Sequence, residues 1–286
     1  MTNAVLKRMR ERHAGRLPSH ILSILQQERI TYRAEHAAGT GTLIASYNVH
    51  KCVGMDNRFD PGRTAAVIGE IHADVIALQE ADQRFGERSG LLDLAQLERS
   101  CGLLPVPVRG SAKGHGWHGN VLLVRQGTVR DVHQISLPGV EPRGALVVDL
   151  DLAAGPLRII AAHLGLLRRS RARQAEAILA AMESRAERPT LLMGDLNEWR
   201  LGQRSSLLRL DPSFGPLAPA LPSFPSRFPI FALDRILANP ARLISSIEVH
   251  DTRLARMASD HLPVKARIDL EASAPHLPAD DAAIAA

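Results

Sequence analysis

Short apolar runs that end in a polar residue recur along this chain, and their length is that of buried strands. From Thr42 the segment TLIASYNVH is β-rich and delivers Asn48 and His50 near its end, and DVIALQE closes on Glu80 after Val75, Ile76, Ala77 and Leu78. LRIIAAH closes on His163 in the same manner, and Leu191, Leu192 and Met193, bounded by Pro189 and Gly194, run into Asp195 and Asn197. In extended backbone, side chains two apart point the same way, so Asp195 and Asn197 emerge together. Further strands are predicted at VLLVR, at ALVVDLDL, at FALDRIL with Asp234 in its middle, and at the alternating Leu262, Val264, Ala266 and Ile268, just after Asp260 and His261.

Helical spacing separates these strands. It predicts helices over 61–72, 91–101 and 168–185, the last with Ala172, Ala175, Ile178, Leu179 and Met182 on one face. Ser19 is placed to cap a short amphipathic helix through Arg29, behind a basic arm. The proline-rich stretch 211–230 reads as a long surface loop, and the Ala, Pro and Asp of 272–286 read as a disordered tail. Strands alternating with helices specify an α/β class. The expected organisation is an arm and short helix over 1–40, one domain over 41–271, and the tail.

Composition narrows the partners. With 45% hydrophobic residues in 286, the chain has material for a substantial core, while 3% aromatic content argues against capture of bases mainly by stacking. A formal charge of +5 and a pI near 9.7, carried mostly by arginine, favour anionic partners without choosing among nucleic acid, lipid headgroups and small phosphate esters. Arg8, Arg10, Arg12 and Arg16 form one basic cluster and Arg168, Arg169, Arg171 and Arg173 another, each with the bland reading of a solvated helix face. Cys52 and Cys101 lack metal-ligand spacing and read as thiols of a reducing compartment. With no apolar run of membrane-spanning length and no signal-peptide core, the expectation is a soluble, cytoplasmic monomer.

The polar residues at strand ends are Asn48, Glu80, His163, Asp195 with Asn197, Asp234, and Asp260 with His261. Each alone is an ordinary turn or capping residue, but strand ends in α/β sheets converge, so together they predict one cleft. Glu80, Asn48 and Asp260 are hard oxygen donors of the kind Mg²⁺ accepts while keeping water, with Mn²⁺ a possible substitute. The two histidines suit proton transfer near neutral pH. The implied chemistry is metal-assisted hydrolysis of a phosphate ester. His115 and His118, in a glycine-rich loop, offer a weaker metal reading against the ordinary one of loop histidines.

The pieces SYNVH, DVIALQEAD, GNVLLVR, AAHLG, LMGDLNEW, ALDRIL and SDHLPV, in this order, resemble the endonuclease/exonuclease/phosphatase superfamily. Histidine rather than tyrosine at 163 makes the chain similar to the deoxyribonuclease I and neutral sphingomyelinase side rather than to AP endonucleases. The resemblance implies a four-layer α/β sandwich, two packed β-sheets flanked by helices. It implies Glu80 as principal Mg²⁺ ligand, with Asn48 and Asp260 near the metal or its waters. Asp195 would orient or activate the attacking water, and Asn197 would contact the phosphate. His261 would act as general base or stabilise the phosphorane with Asp234 as its carboxylate partner, and His163 would bind a phosphate oxygen or assist the leaving group. The deoxyribonuclease branch pairs that histidine with a glutamate, where this chain has His118, Gly119 and Asn120. Arg143 could bind phosphate or pair with an acidic neighbour. The implied activity is a phosphodiesterase acting on nucleic acid or phospholipid, with Phe224, Phe228, Ile230 and Phe231 as a possible apolar rim. A catalytically silent phosphate-binding module is the alternative.

Overall fold

The computed structural model describes residues 32–33, 41–84, 86–110, 113–216 and 221–270. The helix expected from Ser19 and the tail at 272–286 lie outside these residues.

Two βαβ units supply the frame. β2 (Thr42–Asn48) runs through α1 (Pro61–Ile71) to β3 (Val75–Gln79), and the two strands pair in parallel with Asn48 opposite Gln79. β8 (Gly155–His163) runs through α3 (Arg168–Glu183) to β9 (Thr190–Asp195), again in parallel, with His163 opposite Asp195. Strands buried on both faces are mostly apolar, which is why these runs were so legible; the exceptions are paired, as where buried Arg158 of β8 donates to Asp149 at 2.7 Å. Local chemistry sets the helix ends: Asp60 accepts from the Arg63 amide ahead of Pro61, and His72 closes α1 in the left-handed region. α2 (Leu94–Cys101) starts three residues later than expected because Asp93 caps it through the Gln96 amide.

Antiparallel strands complete each sheet. The first has the order β1-β11-β12-β2-β3-β5-β4 and the second β10-β9-β8-β7-β6. β1 (Tyr32–Arg33) and β4 (Leu104–Pro105) are two-residue edges, β5 is Val121–Val124, β7 is Arg143–Leu152, and β12 is Val264–Ile268. Neither two-residue edge was expected, and nor were two longer strands. β6 (Thr128–Leu137) carries Arg130, Asp131, His133 and Gln134 on a largely exposed edge, and β11 (Ile244–Val249) has serines at its centre. β10 (Asp234–Asn239) begins at Asp234, so that residue opens the strand rather than sitting in its middle. The stretch 211–230 is not simply surface loop: α4 (Asp211–Phe214) buries Phe214, and Ser223 and Ser226 are fully buried. α5 (Ala255–Ala258) precedes Asp260.

Three apolar layers hold four layers of structure. Ile44, Val75 and Leu122 of one sheet meet Leu146, Ile159 and Met193 of the other in the central layer. Val67, Ile68 and Leu97 of α1 and α2 cover the outer face of the first sheet, and Ala175 and Ile178 of α3 cover that of the second. The expected four-layer sandwich is therefore what the chain forms.

Where β8 and β9 come closest to the polar end, Gly194 adopts φ +145 and a Cβ there would lie 1.8 Å from the Ala162 carbonyl oxygen. Backbone strain and overpacking coincide at this position. Gly194→Ala is expected to destabilise the fold by roughly 2–4 kcal/mol, read as a lower urea midpoint with unchanged slope. An unshifted midpoint would show that β8 and β9 can separate there without cost.

Candidate active site

Parallel and antiparallel pairing bring the polar residues to one end. β2, β3, β8 and β9 finish there, and β10 and β12 start there, with Asp234 directly opposite Asp195 in the ladder. Asp195, 2% exposed, is the hub. Its Oδ2 accepts a 3.0 Å hydrogen bond from Asn48 Nδ2, lies 3.4 Å from His163 Nε2 and 3.8 Å from His261 Nε2. Its Oδ1 accepts from the Asn197 amide at 3.0 Å. A buried carboxylate needs this number of partners.

The two histidines are held in opposite ways. His261 Nδ1 donates to Asp234 Oδ2 at 2.7 Å, and Ser223 Oγ donates to the same oxygen at 2.5 Å. Burial opposes the charge on His261, but Asp234, Asp195 and Asp260 outweigh it and push its pKa up to about 10. At His163, Arg143 Nη1 donates to Nδ1 at 2.9 Å. Guanidinium has only donors, so Nδ1 must be the acceptor and the proton sits on Nε2, facing Asp195. Burial pushes the His163 pKa down to about 3; Asp195 pulls it up, and Arg143 and His261 push it further down. Arg143 also donates to Glu141 Oε2 at 2.8 Å, so both readings of this arginine meet: it pairs with an acidic neighbour and turns to the site.

Glu80, Lys51, Arg143, His163 and His118 line one cleft. Burial raises the Glu80 pKa, but the Lys51 ammonium 2.8 Å from Oε2, with His50 and Arg143 beyond, holds it below the usual carboxylate range. That buried oxygen accepts no hydrogen bond of regular geometry from any described residue. The ionised carboxylate is a donor of the kind a hard cation takes, and in this structure Lys51 holds that place beside Oε2. Asp260 is partly exposed with Oδ1 3.7 Å from His50 Nδ1, and Asn48 Oδ1 accepts from the His50 amide at 3.0 Å. The only group of three or more potential ligands among the described residues is Asp195, Asp234 and His261, with atoms within 4.8 Å of one another. His115 and His118 join no such group, and His118 Nδ1 donates to the Pro142 carbonyl at 3.1 Å. A cavity of about 340 Å³ edged by Phe214, Leu221, Ile236 and Ile247, with Arg235 and Arg242 also on its wall, touches Asp234 and is otherwise mainly apolar.

Several participants were not foreseen. Lys51 reaches Glu80 from a run of three left-handed residues, His50 to Cys52, which nothing in the sequence announces. Ser223 and Ser259 brace Asp234 and Asn48, the latter by a 2.7 Å bond from Ser259 Oγ to the Asn48 carbonyl. Glu198, fully buried, accepts from Ser206 Oγ at 2.5 Å and from Arg171 Nη2 at 3.3 Å, so Arg171 is not part of a solvated face. The signal for Glu198 was present in LMGDLNEW; its partners were not. Asn197, at φ 51, spends one amide hydrogen on the Leu164 carbonyl at 2.9 Å.

Residues 45–261 match the profile of the Endonuclease/Exonuclease/phosphatase family. The chain belongs to that family. Its members are generally hydrolytic phosphoesterases dependent on divalent metal. Endonuclease/exonuclease/phosphatase folds of known structure superpose on it. A protein of that description from Beutenbergia cavernae DSM 12333 does so at TM-score 0.61 and 23% identity, over 80% of this chain and 72% of that one. Mannosyl-6-phosphatase Bt3783 of Bacteroides thetaiotaomicron VPI-5482 does so at 0.57 and 16%, over 79% and 99%. Truncated Caenorhabditis elegans TDP2 gives 0.57 and 14%, over 81% and 98%. At these identities the likeness is one of fold. No curated protein matches the sequence. No helix of the described residues is long and apolar enough to cross a membrane.

The paired histidines have a measurable signature. Nitrogen-15 shifts are expected to show His163 as the neutral Nε2–H tautomer and His261 as imidazolium at pH 7, and His163→Asn and His261→Asn assign the signals. For stability the signs oppose. His261, with its folded pKa raised, contributes fully below its unfolded value near 6.5 and loses this as pH climbs through about 10; His163, with its folded pKa depressed, contributes above about 6.5 and loses it as pH falls toward 3. His261→Asn should therefore flatten the alkaline limb of a pH–stability profile and leave the acid limb in place. A His163 that titrates between pH 5 and 8 would contradict the arrangement.

Proposed function

We propose that the chain is a Mg²⁺-dependent phosphoesterase acting on a phosphodiester, with Mn²⁺ able to substitute. The reading is carried by the Asp195 carboxylate, held between Asn48, His163 and the His261–Asp234 pair beside the cleft that Glu80 lines. Glu80 would hold the ion, with Asn48 and Asp260 contributing oxygens directly or through water. Bound there, Mg²⁺ supplies charge neutralisation at the phosphoryl oxygens.

The protein groups divide the remaining work. Asp195 accepts the proton of the attacking water as the new oxygen–phosphorus bond forms and the ester bond opposite breaks, and the departing alkoxide takes its proton from solvent at the cleft mouth. His261, already charged and fixed by Asp234, serves the negative phosphorane as a donor rather than the water as a base. Neutral His163 presents Nε2–H as a hydrogen-bond donor to a phosphate oxygen, and its low pKa keeps it from carrying a proton to the leaving group. Asn197 keeps one amide hydrogen beyond its bond to Leu164 for the same oxygens.

Hydrolysis of bis(4-nitrophenyl) phosphate by the purified chain tests this. Activity should vanish with chelator and return with Mg²⁺ or Mn²⁺. Asp195→Asn and His261→Ala should each lower kcat by about a thousandfold, and Glu80→Gln should raise the Mg²⁺ concentration needed for half-maximal rate. Full activity in chelator, or in both Asp195→Asn and His261→Ala, would sink the assignment.

A further inference from the structure

Exposed apolar side chains are not spread evenly over this protein. Among the described residues, every exposed large hydrophobic except Leu104 lies on a loop at the cleft end of the sandwich. Phe59 sits between β2 and α1, Val140 between β6 and β7, Leu166 and Leu167 after His163, Leu201 after Asn197, and Phe228 before Asp234. Val140 is 81% exposed, Phe228 76% and Leu166 64%. Single exposed hydrophobics are ordinary on any surface. Six on five separate loops at the same end of the sandwich are a concentration of the kind that marks an interaction surface.

The loops carrying them are braced. The Leu166 amide donates to Glu141 Oε1 at 2.7 Å, and Gly139 packs so closely on Ser170 that a Cβ would lie 3.1 Å from it, so Val140, Leu166 and Leu167 form one tip. The expected apolar rim is only partly right. Phe224 lies against the His261 ring at 4.8 Å and Phe231 against Trp199 at 5.5 Å, and of that group Phe228 alone is fully exposed.

Arginine stands next to nearly every rim residue: Arg58 before Phe59, Arg168 and Arg169 after Leu167, Arg200 before Leu201, and Arg227 before Phe228. Among the described residues Arg58, Arg168 and Arg169 form no ion pair and are exposed, so an anionic surface would meet guanidinium groups held only by solvent. Apolar tips flanked by guanidinium match a lipid interface, where the tips enter the acyl boundary and the arginines meet headgroup phosphates. Four of the six tips are aliphatic, Val140, Leu166, Leu167 and Leu201, and offer single-stranded bases no stacking surface, which leaves Phe59 and Phe228 as the aromatic ones.

We propose that the mouth of the cleft docks on an anionic phospholipid bilayer, so that the ester presented to Asp195 is that of a lipid headgroup. The substrate half of this rests on the phosphoesterase reading of the site; the docking half does not. The test is co-sedimentation of the full chain, in chelator, with phosphatidylcholine vesicles with and without phosphatidylglycerol. Binding should require the anionic lipid and weaken about tenfold or more in Leu166→Ser/Leu167→Ser and in Arg168→Gln/Arg169→Gln, with unchanged thermal melting. Asp195→Asn should bind vesicles like the parent protein. Vesicle binding without cleavage of any soluble diester would remove the site reading and keep the docking surface. Cleavage without vesicle binding, or binding indifferent to the leucine variant, would overturn the proposal. DNA binding lost in the arginine variant and untouched in the leucine variant, with no vesicle binding, would assign the mouth to nucleic acid instead.

Discussion

Buried hydrogen bonds join the two halves of this molecule at their chemical end, and the central one runs from Asn48, closing a strand of the first sheet, to Asp195, closing a strand of the second, beside the bond from His261 to Asp234. Two packed sheets have many ways to slide when only apolar side chains meet between them, because hydrophobic contact is non-directional. A buried carboxylate is directional, and leaving it unanswered is costly. The registers that set His163 and Asp234 opposite Asp195 in the second sheet therefore become coupled to the register of β2 in the first. The same few atoms specify the alignment of the sandwich and assemble the cleft.

The strand ends were legible because the geometry that makes them functional also marks the sequence. A strand covered on both faces is mostly apolar along its length, so Glu80, His163 and Asp195, at the ends of such runs, stand out. β6 gave no such mark, since an edge strand with one wet face mixes charge into its pattern, and the serines of β11 hid it similarly. Asp234 was found but misplaced within its strand, because an antiparallel strand contributes its beginning to the site where a parallel one contributes its end.

What stayed hidden was the bracing. Lys51, Glu141, Ser223 and Ser259 reach the site from turns whose path depends on left-handed backbone or on contacts distant in sequence, and such contacts have no local signature. Their effect is large even so. Arg143 on Nδ1 of His163 decides which nitrogen carries the proton, where a carboxylate partner would have decided the opposite. Sequence reading could identify a histidine suited to proton transfer; only the partner shows which of its nitrogens is left to carry the proton.

The buried union of Arg171 with Glu198 also bears on how this mouth admits its substrate. α3 carries Arg168 and Arg169 at its first turn and is bolted by Arg171 to the segment just beyond Asn197. Prising that helix away would strand a charge in the interior, at about 3–5 kcal/mol. The jaw on this side is thus a fixture rather than a hinge, and any bending needed for a good fit has to come from the guest.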